Sequence, residues 1–394
     1  MNKGILATGL ILLIALEISG IYFIMPFPGS QKTNSLPLAY WLHNNIMWIR
    51  ILLLAVVLWF FIKVFRNSGW IARSIFSLLL VVYGFMFYKI NFKFQADKMF
   101  YQPKTKEFAD ASFNKVDGNR LVIGVLNNGE AKAYPIQVIG YHHQVRDTVG
   151  GTPVIVTYCT VCRTGRVFSP EVSGKPETFR LVGMDHFNAM FEDATTKSWW
   201  QQATGVAVAG KLKGAALKEI PSQQSQLRTF LLRYPNAVVL QPDTLYKRQY
   251  RSLRDFDNGT TKDGLEKRDS ASWEFKSWVV GVEHNGNAIA YDWNMLASER
   301  IIQDSLPGAP LLVTLENDTA SFHVLNRKLD NDILQFVKLP GNMLSDTKTG
   351  SYWSPSGLCI DGAMKGVKLS RLQASQEFWH SWKSFHPTTR MFKK

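Results

Sequence analysis

Two cysteines separated by two residues carry the strongest chemical signal in the chain. Cys159 and Cys162 lie in the segment Tyr158-Cys-Thr-Val-Cys-Arg-Thr-Gly165. This spacing brings two sulfur atoms close enough for a disulfide or for two bonds to one metal ion. A c-type haem needs histidine directly after the second cysteine, and Arg163 stands there, so haem of that type is excluded. With only three cysteines, the third being Cys359, the chain is not a disulfide-rich scaffold.

The cysteine segment belongs to the first of two similar sequence patterns. The run V-I-G-V-L-N-N-G-E-A-K-A-Y at 122–134 is matched by V-V-G-V-E-H-N-G-N-A-I-A-Y at 279–291. Further matches follow in the same order, including a D-x-x-T-x-S-x-W pattern at Asp193 and its counterpart at Asp346. This many ordered matches indicate an internal duplication. A residue type present in both copies is expected to serve the shared fold, whereas a reactive type in one copy is a functional candidate.

Reactive side chains other than cysteine are also confined to the first copy. His143, Met184 and His186 face arginine, valine and leucine in the second copy. We therefore expect Cys159, Cys162 and His186 to bind a metal ion, with His143 and Met184 as further ligands. Thiolate and thioether ligands favour copper as Cu(I), and two cysteines with histidine also suit zinc. The predicted function is an extracytoplasmic metal-binding or metal-handling protein.

Two other functions fit the cysteine pair. The first is a membrane-tethered thiol–disulfide oxidoreductase, in which Cys159 attacks, Cys162 resolves and Arg163 lowers a thiol pKa. In a thioredoxin-like protein the pair would open a helix, whereas the residues after Cys162 predict a turn into another strand. The second is a non-enzymatic binding module whose cysteines only stabilise a loop. The sequence does not decide whether the protein is an enzyme.

The N-terminal quarter of the chain predicts three transmembrane helices. Each apolar run has about 20 residues, the length that a helix needs to cross roughly 30 Å of hydrocarbon. The first run follows Lys3 as a signal peptide would, but Pro26-Phe-Pro-Gly29 replaces a small-residue cleavage site, which predicts an uncleaved helix. Glu17 is the one acidic residue inside a run and is expected to face a neighbouring helix or a polar cavity. The predicted helices cover about 5–25, 46–65 and 71–90.

Charge suggests how the chain lies in a membrane. Lys63, Arg66 and Arg73 flank the short second connection, which predicts a cytoplasmic N-terminus and a C-terminal region outside the cytoplasm, in the inner membrane. The net charge is +14, from 45 Lys and Arg against 31 Asp and Glu. Residues 1–98 hold nine of these cations, so anionic lipid of the bilayer is the expected partner. No basic run alternates with aromatic residues, and nucleic-acid binding is not expected.

The remaining sequence predicts a β-rich α+β region. Short runs rich in β-branched residues are separated by turn dipeptides such as Asn128-Gly129 and Asn285-Gly286, which predict hairpins. A helical stretch lies near the end of each copy. We therefore expect a three-helix transmembrane module at 1–98, a first lobe with the cysteine pair at 99–247, and a connector with a second, degenerate lobe at 248–394.

Residues from about Gly118 to Asp243 resemble an uncharacterised bacterial family, one described as a domain of unknown function. The hallmark of that family is N-D-x-x-G-G-x-P followed by Y-C-x-x-C-x-x-G. Here the first element is Arg146-Asp-Thr-Val-Gly-Gly-Thr-Pro153, with arginine where the family often has asparagine, and the second is the cysteine segment. The resemblance places this chain in a membrane-anchored subgroup. It implies no known reaction and no known cofactor.

Overall fold

The computed structural model describes residues 1–394, which form two compact units. The first unit combines residues 1–101 with 177–201 and 206–215. The second unit comprises residues 102–176, 202–205 and 216–394. The predicted boundary at 98 follows the end of the apolar runs and that at 247 follows the predicted repeat, and both stay predictions.

Three long apolar helices begin the chain, and each is long and apolar enough to cross a membrane. The three predicted helices are therefore confirmed, although α2 has 32 residues. A helix of that length spans about 48 Å, more than the roughly 30 Å of a hydrocarbon core, so part of it would extend beyond the apolar layer. The helices are α1 Asn2–Tyr22, α2 Leu36–Asn67, α3 Trp70–Phe92, α4 Ala96–Met99, α5 Ile136–His142, α6 Leu227–Arg233, α7 Lys247–Ser252, α8 Trp293–Glu299 and α9 Trp379–Phe385.

A polar cluster joins the three long helices inside the first unit. Glu17 of α1 is fully buried, and Arg50 of α2 donates two hydrogen bonds to its carboxylate at 2.7 and 2.9 Å. Asn91 and Tyr83 of α3 donate two more, at 2.9 and 3.1 Å. An unpaired carboxylate inside an apolar span would be strongly unfavourable. Glu17 thus faces its helix neighbours, as expected, and its charge is matched by Arg50.

The rest of the chain consists mainly of short strands. In the first half they are β1 Phe108–Ala109, β2 Leu121–Asn127, β3 Glu130–Pro135, β4 Gln144–Val149, β5 Thr152–Cys159, β6 Thr164–Phe168, β7 Glu171–Val172, β8 Lys175–Pro176, β9 Phe179–Asp185, β10 Asn188–Asp193, β11 Trp199–Gln201, β12 Ala207–Ala209, β13 Ser222–Gln226 and β14 Val238–Leu240. In the second half they are β15 Trp278–His284, β16 Asn287–Asp292, β17 Ile301–Leu306, β18 Ala309–Leu315, β19 Phe322–Asn326, β20 Lys328–Leu329, β21 Asp332–Ile333, β22 Phe336–Lys338, β23 Leu344–Asp346, β24 Tyr352–Trp353, β25 Cys359–Asp361, β26 Ala374–Phe378 and β27 Arg390–Met391.

The first unit contains one four-stranded antiparallel sheet in the order β12-β11-β10-β9. Its apolar face packs against the start of α2. Trp199 is fully buried and meets the ring of Tyr40 edge-on at 5.0 Å between ring centroids. The shared core cluster consists of Ala39, Val182, Met190, Trp199 and Ala209. The sheet and the start of α2 therefore share one apolar core.

Two sheets of the second unit are built around hairpins. The first has the order β1-β14-β3-β2-β13 and the second the order β26-β15-β16-β27. The turn between β2 and β3 lies at Asn128-Gly129, and that between β15 and β16 at Asn285-Gly286, so both predicted hairpins are confirmed. All four turn residues have positive φ, between 45° and 82°, as a two-residue hairpin turn of the mirror-image type requires.

Element order is the same in the two halves. Each half runs through a hairpin, a short helix, three antiparallel strands, a two-stranded hairpin, a four-stranded sheet, a strand, a short helix and a final strand. The three-stranded sheets are β4-β5-β6 and β17-β18-β19. The cysteine pair lies at the end of β5, so the first of these sheets positions the candidate chemistry.

Asp193 and Asp346 have the same hydrogen-bonding role in the two halves. Asp193 accepts the indole N–H of Trp200 at 2.9 Å and the backbone N–H of Ser198 at 3.0 Å. Asp346 accepts the indole N–H of Trp353 at 2.9 Å and a backbone N–H at 3.1 Å. Both carboxylates thus hold a turn together, which confirms their predicted structural role.

Candidate functional site

The two cysteines lie on a tight turn between two antiparallel strands. Cys159 ends β5 and pairs with Thr164, the first residue of β6. Between them the chain reverses at Arg163, whose φ is +57° and whose N–H donates to the carbonyl of Thr160 at 3.2 Å. The predicted turn into another strand is therefore confirmed. A helix does not follow the cysteines, unlike in the thioredoxin-like arrangement.

Both sulfur atoms are inside the protein. Cys159 and Cys162 are fully buried, and both are thiols rather than a disulfide. Burial raises the pKa of the Cys162 thiol well above its usual range, and a hydrogen bond with Cys159 adds to this effect. The Ser381 hydroxyl and the positive charge of Lys276 act in the opposite direction. The side chains are thus close enough to interact directly, and the raised pKa keeps Cys162 a neutral thiol at ordinary pH.

Basic side chains from the second half cover the turn. Lys276 donates from Nζ to the carbonyls of Val161 and Leu265, at 2.5 and 2.6 Å. His380 donates from Nε2 to the same Val161 carbonyl at 3.3 Å, and its ring stacks on Phe275 at 4.2 Å between ring centroids. Burial lowers the pKa of His380 to about 3, and the neighbouring lysine charge contributes. Two nitrogen groups of different charge therefore surround the dithiol turn.

Hydrogen bonds also join the turn to the second half. The backbone N–H of Phe378 donates to the carbonyl of Cys162 at 3.0 Å. The guanidinium of Arg163 is 1% exposed and donates from Nε to the side-chain oxygen of Gln376 at 2.8 Å. Leaving one partner of a buried hydrogen bond unpaired costs about 1–3 kcal/mol. These contacts therefore hold the segments 273–277 and 378–381, which we call the cover, against the turn. Access to the sulfur atoms requires movement of this cover.

His143 lies in the second unit, at the turn between α5 and β4. Its φ is +61°, and its Nδ1 donates to the carbonyl of Tyr141 at 3.1 Å. Burial lowers the pKa of His143 to about 4, so the ring is neutral at pH 7. A neutral imidazole is the form that binds metals. The structure does not place this ring in a metal-binding group with the cysteines.

The other two predicted ligands belong to the first unit. His186 follows β9 and is half-buried, and its Nδ1 donates to the Asp185 carboxylate at 2.7 Å. That hydrogen bond raises the pKa of His186. Met184, on β9, donates its backbone N–H to the carbonyl of Ile24 at 2.8 Å. No group of three or more His, Cys, Asp or Glu side chains in the structure could hold one metal ion.

Lys276 and His380 are residues that the sequence reasoning missed. When the two predicted copies are aligned, Lys276 faces Asn119 and His380 faces Arg228. Reactive residue types that occur in one predicted copy alone mark functional candidates in the second copy as well, and by this criterion Lys276 and His380 qualify. Their approach to the cysteines, however, depends on how the two halves pack, which pattern matching does not give.

The structure thus defines a class of protein: three helices that could cross a membrane, followed by a mixed α and β region with many small sheets and a buried dithiol. The chain belongs to the family described as "Protein of unknown function (DUF3179)", which matches residues 100–389. That match includes both halves of the second unit. No curated protein and no solved structure matches the chain.

Proposed function

We propose that this protein is a membrane-anchored, extracytoplasmic dithiol protein whose Cys159–Cys162 pair cycles between two thiols and one disulfide. The supporting observation is that the two buried thiols hydrogen-bond to each other on one strand–turn–strand element. Oxidation forms one S–S bond and releases two protons and two electrons. A partner disulfide can accept both electrons and become two thiols, with Cys159 attacking it and Cys162 closing the new bond.

Burial suits this couple because the dithiol and the disulfide are both uncharged. Charged products in a site with no exposed sulfur would require compensation from the surroundings. The cover formed by 273–277 and 378–381 must open before a partner disulfide can reach Cys159. We therefore expect slow thiol–disulfide exchange with large partners. Exchange should become faster when the cover is loosened.

The redox state of the pair tests this proposal. The full-length Cys359→Ser protein in detergent is equilibrated with reduced or oxidised glutathione mixtures, denatured in acid and treated with a thiol-specific mass tag. Two tags are expected after reduction and none after oxidation, with reversal on changing the mixture. In Cys162→Ser in the same background, exchange stops at a mixed disulfide between Cys159 and glutathione, so one tag is expected after reduction, and one glutathione adduct without a tag after oxidation. A pair that keeps two tags at every potential, although the chain is folded, would falsify the redox role.

Metal binding is the second candidate, and the position of Lys276 favours it. Two thiolates with Cu(I) carry a net charge of −1, and the lysine charge already acts on both cysteine sulfurs. Cu(I) accepts two soft thiolate ligands, whereas zinc needs four ligands and would require His186, His143 or Met184 to join the pair. The ligand set Cys159, Cys162, His186, His143 and Met184 therefore remains a proposal.

Metal content after anaerobic purification distinguishes these ligand sets. One copper per chain that is lost in Cys159→Ser and kept in His186→Ala would support a two-thiolate site. Loss of metal in both variants would support the larger set. Chains that bind neither copper nor zinc when both are supplied would rule out the metal-binding function.

We infer an orientation in which the N-terminus is cytoplasmic and the second unit is outside the cytoplasm. The support is the short, basic connection at 63–73, which joins two helices that could cross a membrane. Alkaline phosphatase fused after Lys394 is expected to be active, since it folds only in an oxidising compartment. Fluorescence of a cytoplasm-dependent reporter at that position, with an inactive phosphatase fusion, would reverse the orientation.

We also infer that the two halves descend from one duplicated unit. Identical element order and the equivalent carboxylate contacts of Asp193 and Asp346 support this inference. Under this interpretation the second half has lost the cysteines and gained Lys276 and His380, which act on the first half. An experimental structure in which β5 and β18 occupy different positions within their halves would contradict it.

A further inference from the structure

A cleft of about 390 Å³ lies in the second unit, next to the dithiol turn. Arg163 lines it, directly after Cys162 in the chain. The other walls come from the segment 257–268, which connects the halves, and from Trp278 and Gln376 of the second half. The chemistry proposed for the thiols does not use this cleft, so its function is argued independently of theirs.

Two arginines in the cleft wall, Arg163 and Arg268, form no ion pair within 4 Å. The guanidinium carbons of Arg163 and Arg268 lie 3.8 and 4.2 Å from the ring of Trp278. Arg163 donates to Gln376 and to the carbonyls of Phe256 and Asp257, all neutral oxygens. Arg268 donates to the side-chain oxygen of Asn294, which is also neutral. Buried cations are normally paired with anions, so an anionic ligand would stabilise this wall.

The carboxylates that line the cleft are bound to other groups and do not pair with these two arginines. Asp257 lies 3.5 Å from Arg120, a third arginine, and accepts the N–H of Leu121 at 3.2 Å. Asp318 is held by hydroxyl groups of Thr229 and Ser321. The cleft is therefore lined by two arginines and two carboxylates. Neither lining carboxylate forms an ion pair with Arg163 or Arg268, so both guanidinium groups can pair with an anionic ligand.

Three buried polar atoms of the same wall lack hydrogen-bond partners. They are the Nε of Arg268, the indole Nε1 of Trp278 and the Oδ1 of Asp257. More than nine in ten buried polar groups in proteins have a partner, so three exceptions around one cleft indicate a polar ligand. Two of these atoms are donors and require an acceptor. The third is a carboxylate oxygen and requires a donor.

We propose that this cleft binds a small hydroxylated oxyanion. The oxygens of the anion accept hydrogen bonds from Arg268 and Trp278, and a hydroxyl group of the ligand donates to Asp257. The negative charge of the ligand pairs with the guanidinium groups of Arg163 and Arg268. A hydroxycarboxylate and a polyol phosphate share this chemistry, and the experiment below distinguishes them.

Calorimetric titration of the full-length protein in detergent tests the proposal with four probes. The anions are D-glycerate and glycerol 3-phosphate, and the matched controls are propionate, which lacks the hydroxyl groups, and glycerol, which lacks the charge. One of the two hydroxylated anions is expected to bind about tenfold or more tightly than either control, since charge-assisted hydrogen bonds are the strong ones. Tighter glycerate identifies a carboxylate ligand, and tighter glycerol 3-phosphate a phosphate ligand.

Variants of the wall assign the binding to this cleft. Arg268→Gln is expected to weaken anion binding about tenfold or more, because it removes the charge and the Nε donor. Trp278→Phe keeps a ring beside the arginines and removes only the indole N–H, so a loss of about three- to tenfold is expected. Arg254→Gln is the matched control, because its side chain is 65% exposed and contacts only Asp255.

Folding of each variant is checked by its unfolding temperature without ligand. If Arg268→Gln fails to fold, the conservative Trp278→Phe variant decides. Absence of binding for both hydroxylated anions to the wild-type protein overturns the proposal. Equal affinity in the wild-type protein and in the folded wall variants overturns it as well. Neither result depends on the cysteines, since the titration can be repeated in Cys159→Ser with the same expected affinities.

Discussion

His380 shows at the scale of one residue what burial beside the dithiol turn does to charge. Its ring lies between Phe275 and the backbone of Val161, and burial lowers its pKa to about 3, against 6.5 for an ordinary histidine. Lys276 beside it also has a lowered pKa, again mainly because of burial. The surroundings of the cysteines therefore resist the gain of further positive charge.

His380→Phe should make the stability of the protein less dependent on pH. Below about pH 6.5 the unfolded chain binds a proton at His380 that the folded chain does not, so stability falls as pH falls from 6.5 towards 3. The steepest contribution of one such group is about 1.4 kcal/mol per pH unit. Phenylalanine keeps the stacking on Phe275 and removes this proton.

Urea unfolding in detergent between about pH 8 and about pH 5 provides the measurement. The variant is expected to lose less stability than the wild-type protein on acidification. Some dependence should remain, because His143 and His323 are buried and have pKa values lowered to about 4. Identical slopes for variant and wild type would show that His380 is not the proton acceptor.

At the scale of elements, each half packs a short helix on a hairpin through a glycine. Gly124 on β2 lies against the ring of Phe230 on α6, and Gly281 on β15 lies against the ring of Trp382 on α9. A Cβ at either glycine would overlap the ring. The close approach of helix and strand therefore depends on the absence of a side chain at these two positions.

Gly124→Ala and Gly281→Ala should each destabilise the protein by about 1–3 kcal/mol, the usual cost of overpacking a core. Gly264→Ala is the control, because no atom lies near the position of its added methyl group and its φ is not in the left-handed region. The three variants are compared by denaturant unfolding of the full-length chain. If the Gly124→Ala and Gly264→Ala variants are equally stable, then α6 can move away from β2 without a loss of stability.

Local signals in the sequence were sufficient for most elements. The dipeptides Asn128-Gly129 and Asn285-Gly286 specify hairpins because asparagine and glycine tolerate positive φ. The apolar runs specify the three long helices. Local signals do not predict which elements pack against one another. The cover over Cys162 comes from residues more than a hundred positions away, and its contacts with Lys276 and His380 depend on packing that no local pattern records.

In the whole molecule, the three long helices that could cross a membrane also contribute to the core of a β-sheet. The four-stranded sheet at 179–209 shares its core with α2, where Trp199 and Met190 are fully buried. Sequence patterns place these residues in the first lobe at 99–247, whereas compactness groups them with residues 1–101. The apolar face of the sheet is therefore covered by residues of the N-terminal 101 residues, including the start of α2.

Removal of residues 1–101 should consequently destabilise the remaining chain and cause it to associate. Each large apolar side chain that becomes exposed forfeits about 1.5–3 kcal/mol of burial, and Trp199 and Met190 are both affected. The truncated chain is expected to bind an apolar dye and to elute as oligomers in gel filtration. The full-length chain in detergent is the control. A monodisperse truncated monomer with the unfolding temperature of the full chain would contradict this expectation.

The split composition of the first unit also has a consequence for biosynthesis. Its helices end before residue 101, but its last segment ends at residue 215, about 114 residues later. At about 5–20 residues per second, a ribosome needs roughly 6 to 23 s to supply them. During that interval the start of α2 presents Ala39 and Tyr40 without the strands that later pack on them. During synthesis the apolar surface at the start of α2 is therefore exposed for several seconds, and chaperones or the insertion machinery can bind it in that time.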